Sequence, residues 1–169
     1  MLDLIINSFW IILPSYFANF VPVLLKGKKP LDFKKNFVDG NRVLGDGKTI
    51  EGFFGGLFAG ILFGLLQIYV QQYLPIQFHH NYLTIVLLSF GAVFGDLFGS
   101  FVKRRFNLKR GEPAPILDQL DFLIFSLVFI SLILEINLST VIFLILVTPI
   151  IHYISNIFAY LFKLKKVPW

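Results

Sequence analysis

Apolar residues along this chain come in long blocks separated by polar connections. The block TIVLLSFGAVFGDLFGSFV, residues 84–102, holds one charge in nineteen residues. About twenty predominantly apolar residues are enough for a helix to cross a bilayer. Five blocks of this kind are predicted to span, at about residues 4–25, 52–70, 83–102, 119–136 and 140–162. Pro14, Pro22 and Pro149 lie inside them, which is tolerable because neighbouring helices can satisfy the backbone groups that a proline frees. The expected fold is an all-α integral membrane protein, with the whole chain, 1–169, forming one domain.

The connections alternate in character. Residues 26–51 are polar and basic; QQYLPIQFHHNY, residues 71–82, has no Lys or Arg; residues 103–118 are charged in both signs; and the tail ends KLKKVPW. All 15 Lys and Arg residues fall in the first connection, the third or the tail. Five spans put those three segments on one face, which the positive-inside rule assigns to the cytoplasm. The N-terminus is then outside and the C-terminus cytoplasmic, with loops 26–51 and 103–118 forming a polar site on the inner face of the cell membrane. The opening MLDLIINSFW has no basic n-region and reads as a first span, not a removable signal.

Composition agrees. Hydrophobic residues make up 56% of the chain and aromatics 17%, against about 45–50% apolar residues in soluble domains. Cysteine is absent, which excludes disulfides and thiolate metal sites. The net charge of +5 carries meaning only through the face on which its charges lie, and no nucleic-acid partner is expected. Gly52, Gly56, Gly60 and Gly64 recur every four residues in the second span, as do Gly91, Gly95 and Gly99 in the third. Small residues at this spacing let helices approach closely in lipid. The two stripes are expected to pack against each other, or alternatively to serve a homodimer.

Candidate chemistry gathers at the basic face. Asp96 lies seven residues before Lys103, roughly 10 Å along a helix, inside the apolar boundary, where an ionised carboxylate is costly unless paired. Asp96, Ser100 and Lys103 share one helical face; neutralisation of Asp96 by Lys103 is the structural alternative. Asp118 and Asp121 open the fourth span three residues apart, and acids there also serve as ordinary capping and dipole residues. Three carboxylates at one depth suit Mg²⁺, which favours a few carboxylates with phosphate oxygens and water. Lys103, Arg104, Arg105, Lys109 and Arg110 stand beside them, placed to neutralise phosphate or simply to face lipid head groups.

The stretch LGDGKTIEGFFGG, residues 44–56, is not a Walker loop, because the required first glycine is Arg42. A glycine-rich turn opening a helix can still bind phosphate through backbone N–H groups, with Lys48 and Thr49 assisting. Asn19, His152 and Asn156 are expected to bond between helices, with His152 and Lys163 as candidate cleft residues. His79 and His80, in the outer connection, are expected to have no chemical part.

The residues SFVKRRFNLK, 100–109, followed by Asp118 and Asp121, resemble the signature of the phosphatidate cytidylyltransferase superfamily, and GKTIEGFFGG and GDLFGS are similar to two further segments of it. The bacterial form has Asp where this chain has Arg110, His-Gly-Gly where it has PAPIL, and Arg in place of Gln119. EPAPILDQLDF, ANFVP and the ending KKVPW look instead like the archaeal branch, the CDP-archaeol synthases.

That resemblance implies transfer of a cytidylyl group from CTP to 2,3-di-O-geranylgeranylglyceryl phosphate, a polyprenyl glycerol ether lipid phosphate, with release of pyrophosphate and Mg²⁺ as cofactor. On this view Asp96, Asp118 and Asp121 hold the metal and, with Lys103, are catalytic. Lys48, Thr49, Ser100, Arg104 and Lys109 bind substrate phosphate. A diacylglycerol phosphate acceptor, or a small transporter with Asp96 as its ion-coupling residue, are the competing readings. The longer motif of the CDP-alcohol phosphotransferases is absent, since Phe122 follows Asp121.

Overall fold

A computed structural model describes residues 1–25 and 27–164. The ending KKVPW, residues 165–169, and Lys26 of the first connection lie outside the described residues. Five helices follow in order: α1 (Leu2–Leu25), α2 (Ile50–Val70), α3 (Tyr82–Arg105), α4 (Leu117–Ser131) and α5 (Leu138–Leu161). Among the described residues the β structure is confined to two isolated bridges in the first connection, Pro30 with Thr49 and Asn36 with Arg42.

Among the described residues four helices are long and apolar enough to cross a membrane: α1, α2 with the 3-10 turn that extends it to Tyr73, α3 and α5. The helix α4 has 15 residues, or about 22 Å at 1.5 Å per residue, short of a hydrocarbon core of about 30 Å. It ends at Ser131, where residues 119–136 were expected to be one element. The chain turns over residues 132–134 because it must reverse in time for Asn137 to cap α5, its side chain accepting from Ser139 N at 2.8 Å.

Polarity is arranged as lipid requires. On α2, Phe54, Phe58, Leu62 and Leu66 face outward and exposed, while Gly52, Gly56, Gly60 and Gly64 are buried on the other side. The centre is apolar, built around Ile12, Leu88, Phe122, Leu123, Ile130 and Leu144. Two serine hydroxyls, Ser15 of α1 and Ser126 of α4, donate to the same carbonyl, Leu88 O, at 3.1 Å each. This joins three helices at one point.

The glycine stripes do not pair with each other as the sequence suggested. Those of α2 admit α1 as well as α3: a Cβ at Gly60 would lie 2.7 Å from Pro14 O, and one at Gly64 would lie 2.6 Å from the Ile85 side chain. Those of α3 admit α4: a Cβ at Gly91 would stand 2.7 Å from Ser126 Cα, and Gly95 abuts the Asp121 backbone. The α2 stripe thus serves two seams, with α1 and with α3, and the α3 stripe serves a third, with α4. Both glycine faces are therefore covered within a single chain.

The prolines of α1 have structural consequences. Pro14 has no N–H for the carbonyl four residues earlier, and that carbonyl, Trp10 O, accepts instead from Gln67 Nε2 at 2.8 Å and His80 Nε2 at 3.1 Å. The second connection is pinned to α1 in this way. His80 is thus a buried structural group. Burial pushes its imidazole pKa down to about 4, against the opposing pull of the Trp10 carbonyl, so it is neutral at neutral pH.

Candidate active site

The first connection folds around Asp32, whose carboxylate is buried. Arg42 grips it side-on, Nη2 to Oδ1 at 2.6 Å and Nε to Oδ2 at 3.2 Å. The backbone N–H groups of Lys34, Leu44 and Gly45 donate to it at 3.1, 3.0 and 2.9 Å. Burial alone would raise the pKa of this acid, but the five donors outweigh it and hold the carboxyl well below the usual range. Leu31 N donates to Lys48 O at 2.8 Å, and Ile50 N donates to Lys29 O at 2.9 Å. The two edges of the loop are thereby closed just before α2 starts.

Thr49 is the N-cap of α2, its Oγ1 accepting from Gly52 N at 3.1 Å. The hydroxyl expected to hold phosphate is thus engaged in capping. Lys48, one residue earlier, reaches α3, with Nζ 2.5 Å from Asp96 Oδ2. Asp96 is therefore paired with Lys48 of the first connection, and not with Lys103 seven residues along its own helix.

Lys103 reaches forward instead. Its Nζ donates to both carboxylate oxygens of Asp118, at 3.0 and 2.9 Å, and to Glu112 O at 2.7 Å. Asp118 also accepts from Ala114 N at 3.0 Å, so the PAPIL turn is folded onto this pair. One turn deeper, Asp121 is 7% exposed and fits against Gly99 of α3. Its Oδ1 accepts from Phe122 N, and among the described residues it has no ion pair. The charges of Asp96, Lys48 and Asp118 all act on it. Ser100 is buried on the same helix as Asp96.

The basic residues after α3 have distinct tasks. Arg104 lies beside Gly45 and donates from Nη1 to Leu108 O. Arg105 is a clasp: it pairs with Asp39 at 3.0 Å, donates to Arg42 O at 2.6 Å, and has its guanidinium 4.7 Å from the ring centroids of both Phe37 and Phe101. Asn41 donates to Asn107 Oδ1 at 2.9 Å, and Arg110 flanks Gly47. The first and third connections thus meet at one end of the bundle. Lys109 is exposed at the rim, its backbone N–H tied to Glu112 at 2.8 Å.

The structure therefore brings together Lys48, Asp96, Lys103, Asp118 and Asp121, with Ser100 and Arg104 at the edge. Sequence reasoning passed over Asp32, Arg42 and Asp39. Their signal was faint: acids in an otherwise basic loop, with no spacing to mark them. As for a metal, the donor set fits. Hard carboxylate oxygens stand on one wall, and among the described residues buried Asp121 has no direct ion pair, only the more distant charge of Lys48, to offset the cost of its own. Among the described residues, no three such side chains close into a ligand cluster, because Asp96 and Asp118 each hold a lysine.

Beside this wall an apolar groove of about 300 Å³ opens between α1 and α5, lined among others by Tyr16, Asn19, Phe20, Phe122, Ile151 and His152. Phe122, the residue after Asp121, lines the groove, while Asp121 itself is not among its lining residues. His152 and Asn156, expected to bond between helices, approach each other within 3.3 Å along α5. Tyr16 and Thr148 join α1 to α5 across the groove at 2.8 Å.

Comparison with known proteins gives the family. The profile of the family described as CarS-like, CDP-archaeol synthase, matches residues 1–169. The CDP-archaeol synthase of Pyrococcus horikoshii is 49% identical over 168 residues, 98% of this chain and 97% of that one. The CDP-archaeol synthase of Methanococcus maripaludis is 47% identical over 176 residues, 100% of this chain and 99% of that one. A solved structure described as an intramembrane enzyme for archaeal membrane lipids biosynthesis superposes with a TM-score of 0.80 at 35% identity, covering 90% of this chain and 94% of its own. The chain belongs to the CDP-archaeol synthase family.

Proposed function

We propose that this chain transfers the cytidylyl group of CTP to a prenylated glycerol ether lipid phosphate, 2,3-di-O-geranylgeranylglyceryl phosphate, giving CDP-archaeol and pyrophosphate. It acts as a membrane enzyme of the plasma membrane with five spans, α4 being the short one, and the end that carries the Lys48–Asp96 and Lys103–Asp118 pairs faces the cytoplasm. The single observation that carries this reading is the convergence of those two ion pairs with buried Asp121 at the end of the bundle where the first and third connections meet. A water-soluble triphosphate and a membrane-bound phosphate can meet there.

A phosphate oxygen of the lipid attacks the α-phosphorus of CTP. The new P–O bond forms as the bond from the α-phosphorus to the bridging oxygen breaks, and pyrophosphate leaves with that electron pair. The lipid phosphate is already ionised at neutral pH, so no strong general base is required. Alignment and charge neutralisation carry the reaction. Lys48, Lys103 and Arg104 neutralise phosphate charge, Lys109 attracts the nucleotide at the rim, and the α2 N-terminus, shaped by Thr49, presents backbone N–H groups. Ser100, at the edge of the site, binds substrate phosphate. Asp96, Asp118 and Asp121 are the residues that would hold Mg²⁺, which supplies charge neutralisation between the two anionic substrates. The groove between α1 and α5 takes a prenyl chain.

The test is turnover in detergent micelles with CTP, Mg²⁺ and either the prenylated ether lipid phosphate or diacylglycerol phosphate. CDP-lipid formed from the ether lipid by the parent protein, and lost in Asp118→Asn, supports the reading. Full Mg²⁺-dependent activity in Asp118→Asn overturns the metal assignment, and no product from either lipid overturns the reaction.

A further inference from the structure

Asp32 stands in the first connection, on a different chain segment from the acids of the site, and no step of the reaction uses it. It is 8% exposed. Burying a carboxylate costs several kcal/mol before its partners are counted, so the location of those partners is informative. Four of its five hydrogen bonds come from Arg42, Leu44 and Gly45. All three precede Lys48 by at most six residues. Arg42 extends the arrangement by holding Asp46 through Nη1 at 2.8 Å.

The turn so held has little freedom of its own. Gly45 takes φ +87°, a left-handed conformation that glycine adopts without penalty, and Lys48 N donates back to Gly45 O at 3.3 Å. Arg104 of α3 lies 3.5 Å from where a Gly45 Cβ would stand. Fixing Gly45 from below therefore fixes both the backbone that launches Lys48 toward Asp96 and the ledge beside Arg104. Without the carboxylate, Arg42 keeps only Asp46 as an ion-pair partner among the described residues, and three backbone N–H groups, those of Lys34, Leu44 and Gly45, lose their acceptor.

We infer that Asp32 is a positioning residue of the nucleotide site: it locks the 42–48 turn so that Lys48 and Arg104 stand where the CTP phosphates bind, without touching substrate itself. The inference rests on the proposed reading of Lys48 as a phosphate ligand. A displacement of about 1 Å in such a group can cost up to about a hundredfold in rate or binding, and the defect must be felt by the nucleotide and not by the lipid.

The experiment compares Asp32→Asn, Gly45→Ala and Lys48→Met with the parent protein in micelles. Steady-state constants are measured for CTP and for the ether lipid phosphate, together with the rise in Tm that CTP produces. For Asp32→Asn the expected result is a KM for CTP raised about tenfold or more, an unchanged KM for the lipid and a smaller CTP-induced rise in Tm. Gly45→Ala shifts the same quantities the same way, and carries the test if Asp32→Asn does not fold. A lower Tm with unaltered CTP constants in these two variants, while Lys48→Met still impairs CTP, overturns the inference and leaves the reading of Lys48 standing. Unaltered CTP constants in Lys48→Met overturn that reading and the inference with it.

Discussion

Gly99 of α3 faces the carboxylate of Asp121 on α4, and the absence of a side chain at Gly99 is what admits the acid to the helix seam. Gly95 makes the same allowance one turn away for the Asp121 backbone. The α3–α4 seam therefore sets the depth of the buried acid and its distance from Asp96.

Gly99→Ala should act on activity more than on fold. The added methyl collides with the Asp121 carboxylate, and overpacking of this kind costs about 1–3 kcal/mol. We expect at least a tenfold loss of turnover, in line with the sensitivity of aligned groups to small displacements, and a modest fall in Tm. Parallel assays of turnover and thermal unfolding check this; unaltered turnover contradicts the assignment of Asp121 to the site.

His80 gives the fold a pH dependence. The unfolded imidazole titrates near 6.5 and the folded one near 4, so the unfolded state binds more protons between these values. Stability is whole above pH 6.5 and falls as the pH drops, by about 3 kcal/mol at pH 4. Thermal unfolding across this range should show the loss, and His80→Gln should flatten it.

Gln67→Leu should loosen the outer end without touching the chemistry. It leaves Trp10 O with His80 alone, and because that carbonyl stays satisfied the lost hydrogen bond is worth about 0.5–1.5 kcal/mol. A lower Tm with near-parental turnover at low temperature is the expected outcome.

Arg105→Lys should open the clasp between the two polar connections. A lysine keeps the charge near Asp39 but loses the planar fork and the stacking on Phe37 and Phe101. Cation–π contacts contribute about 0.5–2 kcal/mol each. Limited proteolysis should show faster cleavage within residues 26–51, and an unchanged rate contradicts the clasp.

Much of this was legible in the chain itself. Block length and charge placement mark the helices, because lipid demands long apolar runs and the charges must sit at the ends. The shared depth of Asp96, Asp118 and Asp121 was legible from residue type and position, whereas Lys48 stood out only as part of a glycine-rich turn. Their pairing was not: Lys103 is nearer Asp96 in sequence but bonds Asp118, because its long side chain reaches forward past the end of α3 to the PAPIL turn. Glycine spacing revealed close seams, yet a four-residue repeat does not name the partner helix. Asp32 escaped notice because a buried hub in an irregular loop leaves no periodic trace. The shortness of α4 was legible but its end was set too late, because Leu132, Ile133 and Leu134 continue the apolar run through a turn.

The most direct test of the central claim follows the phosphates of CTP. The purified protein is incubated in micelles with Mg²⁺, the ether lipid phosphate and CTP labelled at either the α- or the γ-phosphate. Cytidylyl transfer predicts that α-label enters the lipid phase while γ-label stays in water as pyrophosphate. Entry of γ-label into the lipid, or of neither label with a demonstrably folded protein, contradicts the account.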